Sequence, residues 1–580
     1  MKQILFVNNI ESRQKNKKYI HLEYLDDKSE DFDLQDLKRL INLRYDSWLT
    51  EAKNFHEEIS IFFSEINKNW WLTDSSRFIM WKTKNNYSLN NYFYSKAILE
   101  ITEKYDEVVV VGKNDVIKNY IESIFNNEEC QNNVLSIFKN LNLKTLKISI
   151  LALLNAIKYF SILLKKPHPK ISNYKSTIVS SLSLNDNIIK EKKDHFFGDM
   201  LNSKEYLWIY NDYPKELTKI KKNIDLNKKS FFFIIELGST KMIVKSLFSF
   251  WKFQYDILKN KNFFIKNKIK NHFWLVFFNE FYYDKVLYED IFYEIYLSNL
   301  YSKILNNNNS IDKIILPYEE NGWQRSIIIQ AKKKNIVTLG YAHASHSQGH
   351  KYYFSISKKI NPPRPDKILT TGKIALQKFI EIGYKRENLI ILGSDKYHKK
   401  NNNISKLETR KKNLLFMCGV GLEIVNLAKL LSDNEKFFKK YNFIIRENPH
   451  SWAEEQLLAK KIFKEKNIEY QVSKKSFKEE ILNSKYIIYE TSTAGLEGIL
   501  MGRLGVQINV TDNIYSNQFQ NINDSKIKYC MNMNELKKLI DYYETLDEKM
   551  YRALVDEQIS QVANLIEKKN LLAIKQIENL

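Results

Sequence analysis

The sequence predicts an α/β protein with two domains of alternating strands and helices. One observation is the stretch Tyr486 to Val510, YIIYETSTAGLEGILMGRLGVQINV, which reads as strand, polar turn, helix and strand. A second is that such units recur at roughly 25 to 35 residues beyond Asn413, the spacing of βα units. A third is the polar, basic stretch Lys396 to Lys412, with Asn401 to Asn403 inside it, which has the composition of an interdomain linker. These boundaries give a first domain over residues 1–395 with a helical insertion at 113–195, a linker at 396–412, a second domain over 413–533, and final helices over 534–580 that pack back across the domains. A chain of 580 residues exceeds one ordinary core, in keeping with that division.

In chain order, Ile4 to Val7 reads as a first core strand, and the N-terminus lacks a signal-peptide pattern. Leu34 to Asn69 is helical. Asp31 and Asp33, just before it, have a spacing that can hold a metal-bound nucleotide, but no apolar strand ends at Asp31 and a solvated helix start explains both. Val108 to Val111, closed by Gly112, is a buried strand. Lys144 to Lys166, KTLKISILALLNAIKYFSILLKK, is an apolar helical pattern with lysines at both ends, interrupted by Asn155 and Lys158. It is too broken to span a membrane. Two readings stay open: it lies in a headgroup plane against anionic lipid, or it packs against the rest of the protein. Tyr206 to Tyr210 and Phe231 to Leu237 read as strands, and Phe281 to Tyr301 as a helix with core aromatics.

The candidate site residues leave strand ends. Ile311 to Tyr318 ends at Glu319 and Glu320, before a helix that starts near Gln324. Carboxylates there are placed for proton transfer to a ligand at the sheet edge, or they complement a helix dipole. Val337 to Tyr341 releases His343, Ser345 and His346 at the same edge. After Pro362, Pro363 and Pro365 the chain gives a strand, a turn at Gly372, a helix, and the strand Leu389 to Leu392. In the second half Asn413 to Cys418 is a strand followed by Gly419 and Gly421, and Asn442 to Arg446 is a strand that releases Glu447, Asn448, Pro449, His450 and Ser451. Tyr486 to Tyr489 releases Glu490, Thr491, Ser492 and Thr493 at the first turn of a helix. Free N–H groups and the dipole favour an anion there, though a hydroxyl at that place can equally be a plain N-cap. Asn534 to Tyr543 and Asp547 to Leu572 read as closing helices.

Composition narrows the function classes. The net charge of +22 favours anionic partners, among them membrane surfaces and nucleotide-linked substrates. Without zinc-ligand spacing, an RNA-binding aromatic signature or a compact basic motif, nucleic acid is not expected as a partner. Cys130, Cys418 and Cys530 are few and far apart, which fits a reducing cytoplasm and excludes a disulfide framework or a cysteine zinc site.

The motifs LPYEENGWQRSI, GYAHAS, PDKILTTGKIALQKFIEIGY with LGSDKY, RENPHS and ETSTAGLEGIL occur in an order that resembles bacterial surface-carbohydrate biosynthesis proteins. These are GT-B glycosyltransferases with two Rossmann-like domains facing a central cleft, related to transferases of Kdo and sialic-acid-like nonulosonic sugars from CMP donors. The resemblance covers about Ile311 to Val510. It implies Glu319 as catalytic base, with Glu320 and His343 beside it. It implies donor-phosphate contacts from His450, Ser492 and Thr493; Gly419, Arg446, Asn448, Thr491 and Glu497, at or near the same strand ends, are the further donor-binding candidates. His450 departs from the family's His-Pro order, since Pro449 precedes it. Glu497, one turn into the helix, is placed to grip a ribose diol and accommodates CMP or UDP. The implied reaction is inverting transfer without a metal or other cofactor, to a polysaccharide or glycolipid acceptor of lipopolysaccharide or capsule. Domain closure would assemble the site. The implied location is cytoplasmic, peripheral on the inner membrane through Lys144 to Lys166. Rival expectations are a UDP-sugar transferase or epimerase of the same fold, and a non-catalytic scaffold docked on membrane.

Overall fold

The computed structural model describes residues 3–7, 18–21, 32–69, 88–103, 107–111, 146–161, 176–181, 197, 206–210, 231–260, 290–344, 359–394, 413–419, 423–434, 437, 440–448, 453–465, 471–472, 476–510, 517–519, 522 and 524–580. It divides into two compact units, one running to Ala342 and including the stretch that ends at Ile368, the other made mainly of Leu369–Asn579. The expected linker 396–412 lies outside the described residues.

The N-terminal segment forms a small parallel sheet of β1 (Gln3–Val7), β2 (Lys18–His21) and β3 (Glu107–Val111), in the order β1-β3-β2. Helices α1 (Phe32–Ile66) and α2 (Ser88–Thr102) connect β2 to β3. Asp33 falls in the first turn of α1, as a helix start requires. Next comes a larger sheet built from β4 (Ser176–Ser181), β5 (Tyr206–Tyr210), β6 (Phe231–Phe233), β7 (Ile311–Pro317), β8 (Val337–Ala342), β9 (Lys367–Thr370) and β10 (Leu389–Ile391). Its order is β10-β9-β8-β7-β4-β5-β6, so the winding reverses between β4 and β7. Strand β4 lies inside 113–195, the stretch read from sequence as a helical insertion, and it pairs in parallel with both β5 and β7. The strand expected at Phe231 to Leu237 stops after three residues and continues as a 3-10 turn, Ile234–Leu237.

The first unit's further helices include α3 (146–161), α4 (Thr240–Lys259), α5 (Asp290–Asn307) and α6 (Gly322–Lys332). The second unit adds α7 (Lys373–Glu381) and a sheet of β11 (Asn413–Met417), β12 (Asn442–Arg446), β13 (Gln471–Val472), β14 (Tyr486–Tyr489), β15 (Leu504–Ile508) and β16 (Tyr529–Cys530). Every neighbouring pair in it is parallel, and the order β13-β12-β11-β14-β15-β16 is the doubly wound Rossmann arrangement. Its helices are α8 (Glu423–Asp433), α9 (Ala453–Glu465), α10 (Phe477–Leu482), α11 (Thr493–Leu500), α12 (Met533–Glu544), α13 (Glu548–Leu565) and α14 (Leu571–Glu578).

Strands β11, β14 and β15 are buried along their whole length, which is why their sequences are unbroken apolar runs. Alternate residues serve opposite faces. Phe416, Ile488 and Val506 pack with Leu427 and Leu431 of α8, while Leu415, Ile487 and Tyr489 pack with Leu496, Ile499 and Val562. Each such aliphatic side chain contributes about 1.5–3 kcal/mol on burial. Gly495 admits α11 to this layer: a Cβ there would stand 2.2 Å from the Tyr489 ring.

The closing helix expected at Asp547 to Leu572 is two helices. Ile566 leaves helical geometry, and the N–H groups of Glu567 and Asn570 donate to the carbonyls of Thr371 (2.7 Å) and Leu392 (2.9 Å). The Thr371 hydroxyl in turn donates to the Leu565 carbonyl, 2.9 Å. Asn570 then caps α14 by accepting from the N–H groups of Leu572 and Ala573. The break exists because this segment lies along the ends of β9 and β10, a partner that helical periodicity does not reveal.

Candidate active site

Each large sheet has a switch point, where strand order reverses and the carboxyl ends of two strands leave a crevice. In the first unit β7 ends at Pro317. The Tyr318 N–H donates to the Tyr341 carbonyl (2.8 Å), and the next residues turn sharply into α6. Gln324, in the first turn of α6, fastens that turn. Its Oε1 accepts from the N–H groups of Glu319 (2.8 Å) and Asn321 (2.9 Å), and its Nε2 donates to the Pro317 carbonyl (2.7 Å).

Glu319 and Glu320 have different surroundings. Glu319 is half-buried at the mouth of the turn. Glu320 is 1% exposed and adopts φ 59°, the left-handed region that a glutamate enters at a cost of roughly 1–3 kcal/mol. Its carboxylate accepts from Arg325 Nη2 (2.6 Å), Arg364 Nε (3.1 Å) and the Tyr318 hydroxyl (3.0 Å). Burial alone would raise its pKa. The charges of Arg364 and Arg325, with their hydrogen bonds, outweigh burial and hold it below the ordinary carboxylate value. A carboxylate so engaged fixes the turn and is a poor proton acceptor. His343, half-buried, follows β8 directly; Ser345 and His346 lie outside the described residues.

In the second unit the switch point lies between β11 and β14, where Gly419 and Thr491 meet over Glu423. The Gly419 N–H and the Thr491 hydroxyl donate to the two oxygens of the Glu423 carboxylate. A Cβ on residue 419 would stand 2.4 Å from that carboxylate and 2.6 Å from the Thr491 hydroxyl, so any other residue there would displace this pair of side chains. The turn after β14 is held from behind by two glutamines. Gln507 Nε2 donates to the Glu490 carbonyl (2.6 Å), and Gln507 Oε1 accepts from the Gln518 N–H (3.3 Å).

Ser492 occupies the N-cap position of α11 with φ −67° and ψ 124°, yet its side chain makes no cap hydrogen bond. Thr493 opens the helix beside it. One strand over, Asn509 follows β15 at 1% exposure, and neither its Oδ1 nor its Nδ2 has a hydrogen-bond partner. An amide buried in this way costs about 1–3 kcal/mol until a ligand or water satisfies it. The register that pairs Tyr489 with Gln507 puts Asn509 level with Thr491.

Arg446, at the end of β12, lies over the Phe477 ring at 5.1 Å. Burial lowers its pKa, while Glu480 and Glu497 oppose that, which places the Glu497 carboxylate within electrostatic range of the guanidinium. Asn448 is half-buried beyond the strand, and His450 lies outside the described residues. Behind the crevice a small cavity is lined by Cys418, Glu423, Tyr489, Glu490 and Val510 among others. Burial, then the charges of Glu423, Glu447 and Glu490, push the Cys418 thiol well above its ordinary value. Among the described residues no group of three or more His, Cys, Asp or Glu side chains is arranged to hold a metal ion.

The second crevice therefore brings Gly419 and Thr491 together over Glu423, with Ser492 and Thr493 following at the start of α11. Glu423, Gln507, Asn509 and Gln518 were not singled out by sequence, nor were Arg325 and Arg364. For Glu423 a signal was present, since it follows Gly419 by four residues in GVGLE.

No protein-family profile and no curated protein matches the chain. Among solved structures, a glycosyltransferase from Rickettsia africae covers 70% of this chain and 98% of its own at 14% identity and a TM-score of 0.41. The HepE protein of Anabaena, solved with UDP and glucose, covers the same shares at 10% identity and a TM-score of 0.40. A UDP-GlcNAc 2-epimerase from Neisseria meningitidis, bound to UDP-GlcNAc, also covers 70% and 98%, at 8% identity and a TM-score of 0.40. Likenesses this distant leave the chemistry to be argued from the chain's own residues.

Proposed function

We propose that this chain is a glycosyltransferase of the GT-B type that binds a nucleotide-sugar donor at the switch point of its second unit. The observation that carries the reading is the β11/β14 crevice, where an N-cap serine without a cap bond follows β14 and a buried amide without a partner follows the neighbouring β15, level with Thr491. A donor phosphate on the first turn of α11 would take up the free end of the helix, with the Ser492 and Thr493 hydroxyls donating to it and Arg446 adding charge. Asn509 has the donor and acceptor that a sugar or base edge needs. Glu497 would accept from ribose hydroxyls. Glu319 is the base that takes the proton of the acceptor hydroxyl as it attacks the anomeric carbon, with the phosphate leaving and the configuration inverted. Glu320 acts by positioning that turn. No metal is required in this scheme, because the leaving charge is met by the helix end and Arg446.

The donor nucleotide is open to two assignments. A CMP-ulosonate follows from the motif resemblance alone. A UDP-sugar suits the described crevice equally well. The acceptor in this reading is a surface glycan or glycolipid, met at the cytoplasmic side of the inner membrane.

Thermal shift with CMP, UDP, CMP-Kdo and UDP-hexoses separates these. Stabilisation by one nucleotide series, and a drop in transfer or donor hydrolysis of about 10²–10⁴-fold in Glu319→Gln with donor stabilisation retained, is the expected result. Failure of every nucleotide to stabilise the protein would sink the donor-site reading.

A further inference from the structure

No described helix is long and apolar enough to cross a membrane, yet two neighbouring helices of the first unit turn apolar faces outward. On α3 the exposed residues are Leu146, Ile150, Leu153, Leu154, Ile157 and Phe160, spaced at three and four so that they share one face. The opposite face, Ile148, Ala152, Ala156 and Tyr159, is buried. The packed reading of this stretch holds for its buried face, and the exposed face leaves the headgroup reading open. On α4 the same division recurs: Val244, Phe248, Trp251 and Tyr255 are exposed at the same spacing, while Ile243, Leu247, Phe250, Phe253 and Ile257 are buried.

The two faces point the same way. Tyr159 of α3 stacks with Phe292 of α5 at 6.0 Å, and Phe250 of α4 meets the same Phe292 ring edge-on at 6.3 Å. Ser149 of α3 donates to Gln254 Oε1 of α4 at 2.8 Å, so the helices lie side by side on α5. With both buried faces on α5, both apolar stripes face away from it. Phe248 is 64% exposed, Tyr255 62% and Leu146 59%.

Charge decides what covers this surface. Lys147 and Lys158 flank the stripe of α3, and Lys241, Lys245, Lys252 and Lys259 form a row beside the stripe of α4. The one acidic residue in the described parts of either helix is Asp256, and it is already paired with Lys252 at 2.9 Å. A protein partner of mixed charge has no reason for six lysines around an apolar floor. An anionic lipid leaflet does, since acyl chains accept the apolar stripes, headgroup phosphates accept the lysines, and Trp251 and Tyr255 suit the boundary between them.

We infer that α3 and α4 together form a membrane-docking face that binds anionic phospholipid. This deepens the reading of a membrane-side glycan or glycolipid acceptor, and rests on that reading only for its biological setting.

The test is flotation of the full chain with vesicles of phosphatidylcholine alone or mixed with phosphatidylglycerol, at low and high salt. The expected result is binding to the mixed vesicles, weakened by salt, with little binding to phosphatidylcholine. Phe248→Glu with Ile157→Glu should lower the partition onto mixed vesicles at least tenfold, and Lys241→Glu with Lys245→Glu should remove the preference for the anionic lipid. Because these side chains are exposed, the variants should melt as the parent does and keep its stabilisation by nucleotide. Wild-type protein that ignores mixed vesicles, or a Phe248→Glu/Ile157→Glu variant that floats as well as wild type, overturns the proposal. So does a concentration-dependent dimer abolished by the same two changes, which would assign the face to a second copy. Wild-type protein that is stabilised by nucleotide yet ignores the mixed vesicles refutes the docking face alone, whereas wild-type protein that floats yet is stabilised by no nucleotide refutes the donor site alone.

Discussion

The two switch points share a topology but differ in how their polar groups are satisfied. At the end of β7 the turn is closed on itself: Gln324 takes the backbone N–H groups, and Arg325, Arg364 and Tyr318 take the Glu320 carboxylate. At the end of β14 the backbone is equally well held, by Gln507 from behind and by Thr491 on Glu423, yet Ser492 makes no cap bond and Asn509 has no partner. The contrast separates polar residues that build a crevice from those which, under the proposed function, would meet a donor. Number of polar groups does not distinguish the two places, and the first also holds a buried donor without a hydrogen bond, Trp323 Nε1; what sets the second apart is the Asn509 amide, unmet at both its oxygen and its nitrogen.

Breaking the closed side should produce the largest effect. Arg325→Met leaves the Glu320 charge buried with one guanidinium instead of two, and removing one partner of a buried pair costs about 3–5 kcal/mol. The urea midpoint of the first unit, followed by a fluorescence probe, should fall accordingly; an unchanged midpoint would mean that the cluster stabilises nothing.

A smaller effect belongs to pH. The folded Glu320 pKa lies below its unfolded value, so its contribution is complete above the unfolded value, near about 4.3, and is lost as pH falls through the depressed folded value. Acid titration of the urea midpoint should show this loss in wild type. Arg325→Met, with less to depress the pKa, should show a shallower dependence in the same window.

The smallest change in stability is expected on the open side. A serine N-cap replaced by alanine ordinarily costs about 1 kcal/mol, but Ser492 makes no side-chain cap bond. Ser492→Ala should therefore shift the melting point hardly at all while weakening stabilisation by the nucleotide. If it instead destabilised the free protein by the ordinary cap value, the hydroxyl would be structural and the contrast between the two turns would disappear.

The strands that were plain in the sequence are those buried on both faces, such as Tyr486–Tyr489 and Asn413–Met417, because a continuous apolar run needs no partner to be recognised. Strand β4, Ser176–Ser181, was missed since serine and threonine make up most of it and its place at the reversal of the sheet comes from β5 and β7. The crevice residues on turns were legible for the same reason as the strands that release them. Their bonding was not: Glu320 meets Arg364 across 44 residues, and Thr491 meets Glu423 across 68. The outward face of α3 and α4 was half legible, as an apolar helix with lysines, and only Phe292 beneath both helices shows which sides remain uncovered.

The segment that breaks the closing helix also sets an order in time. Thr371 and Leu565 are 194 residues apart, and the ends of β9 and β10 complete their hydrogen bonding only with residues 565–570. At a synthesis rate of roughly 5–20 residues per second, the earlier piece emerges some 10–40 s before its partner. During that interval its carbonyls at Thr371 and Leu392 have only water or a chaperone to bond. A second unit cut from the chain at the linker would lack residues 369–394 permanently, so a fragment meant to hold this unit must begin upstream of Leu369.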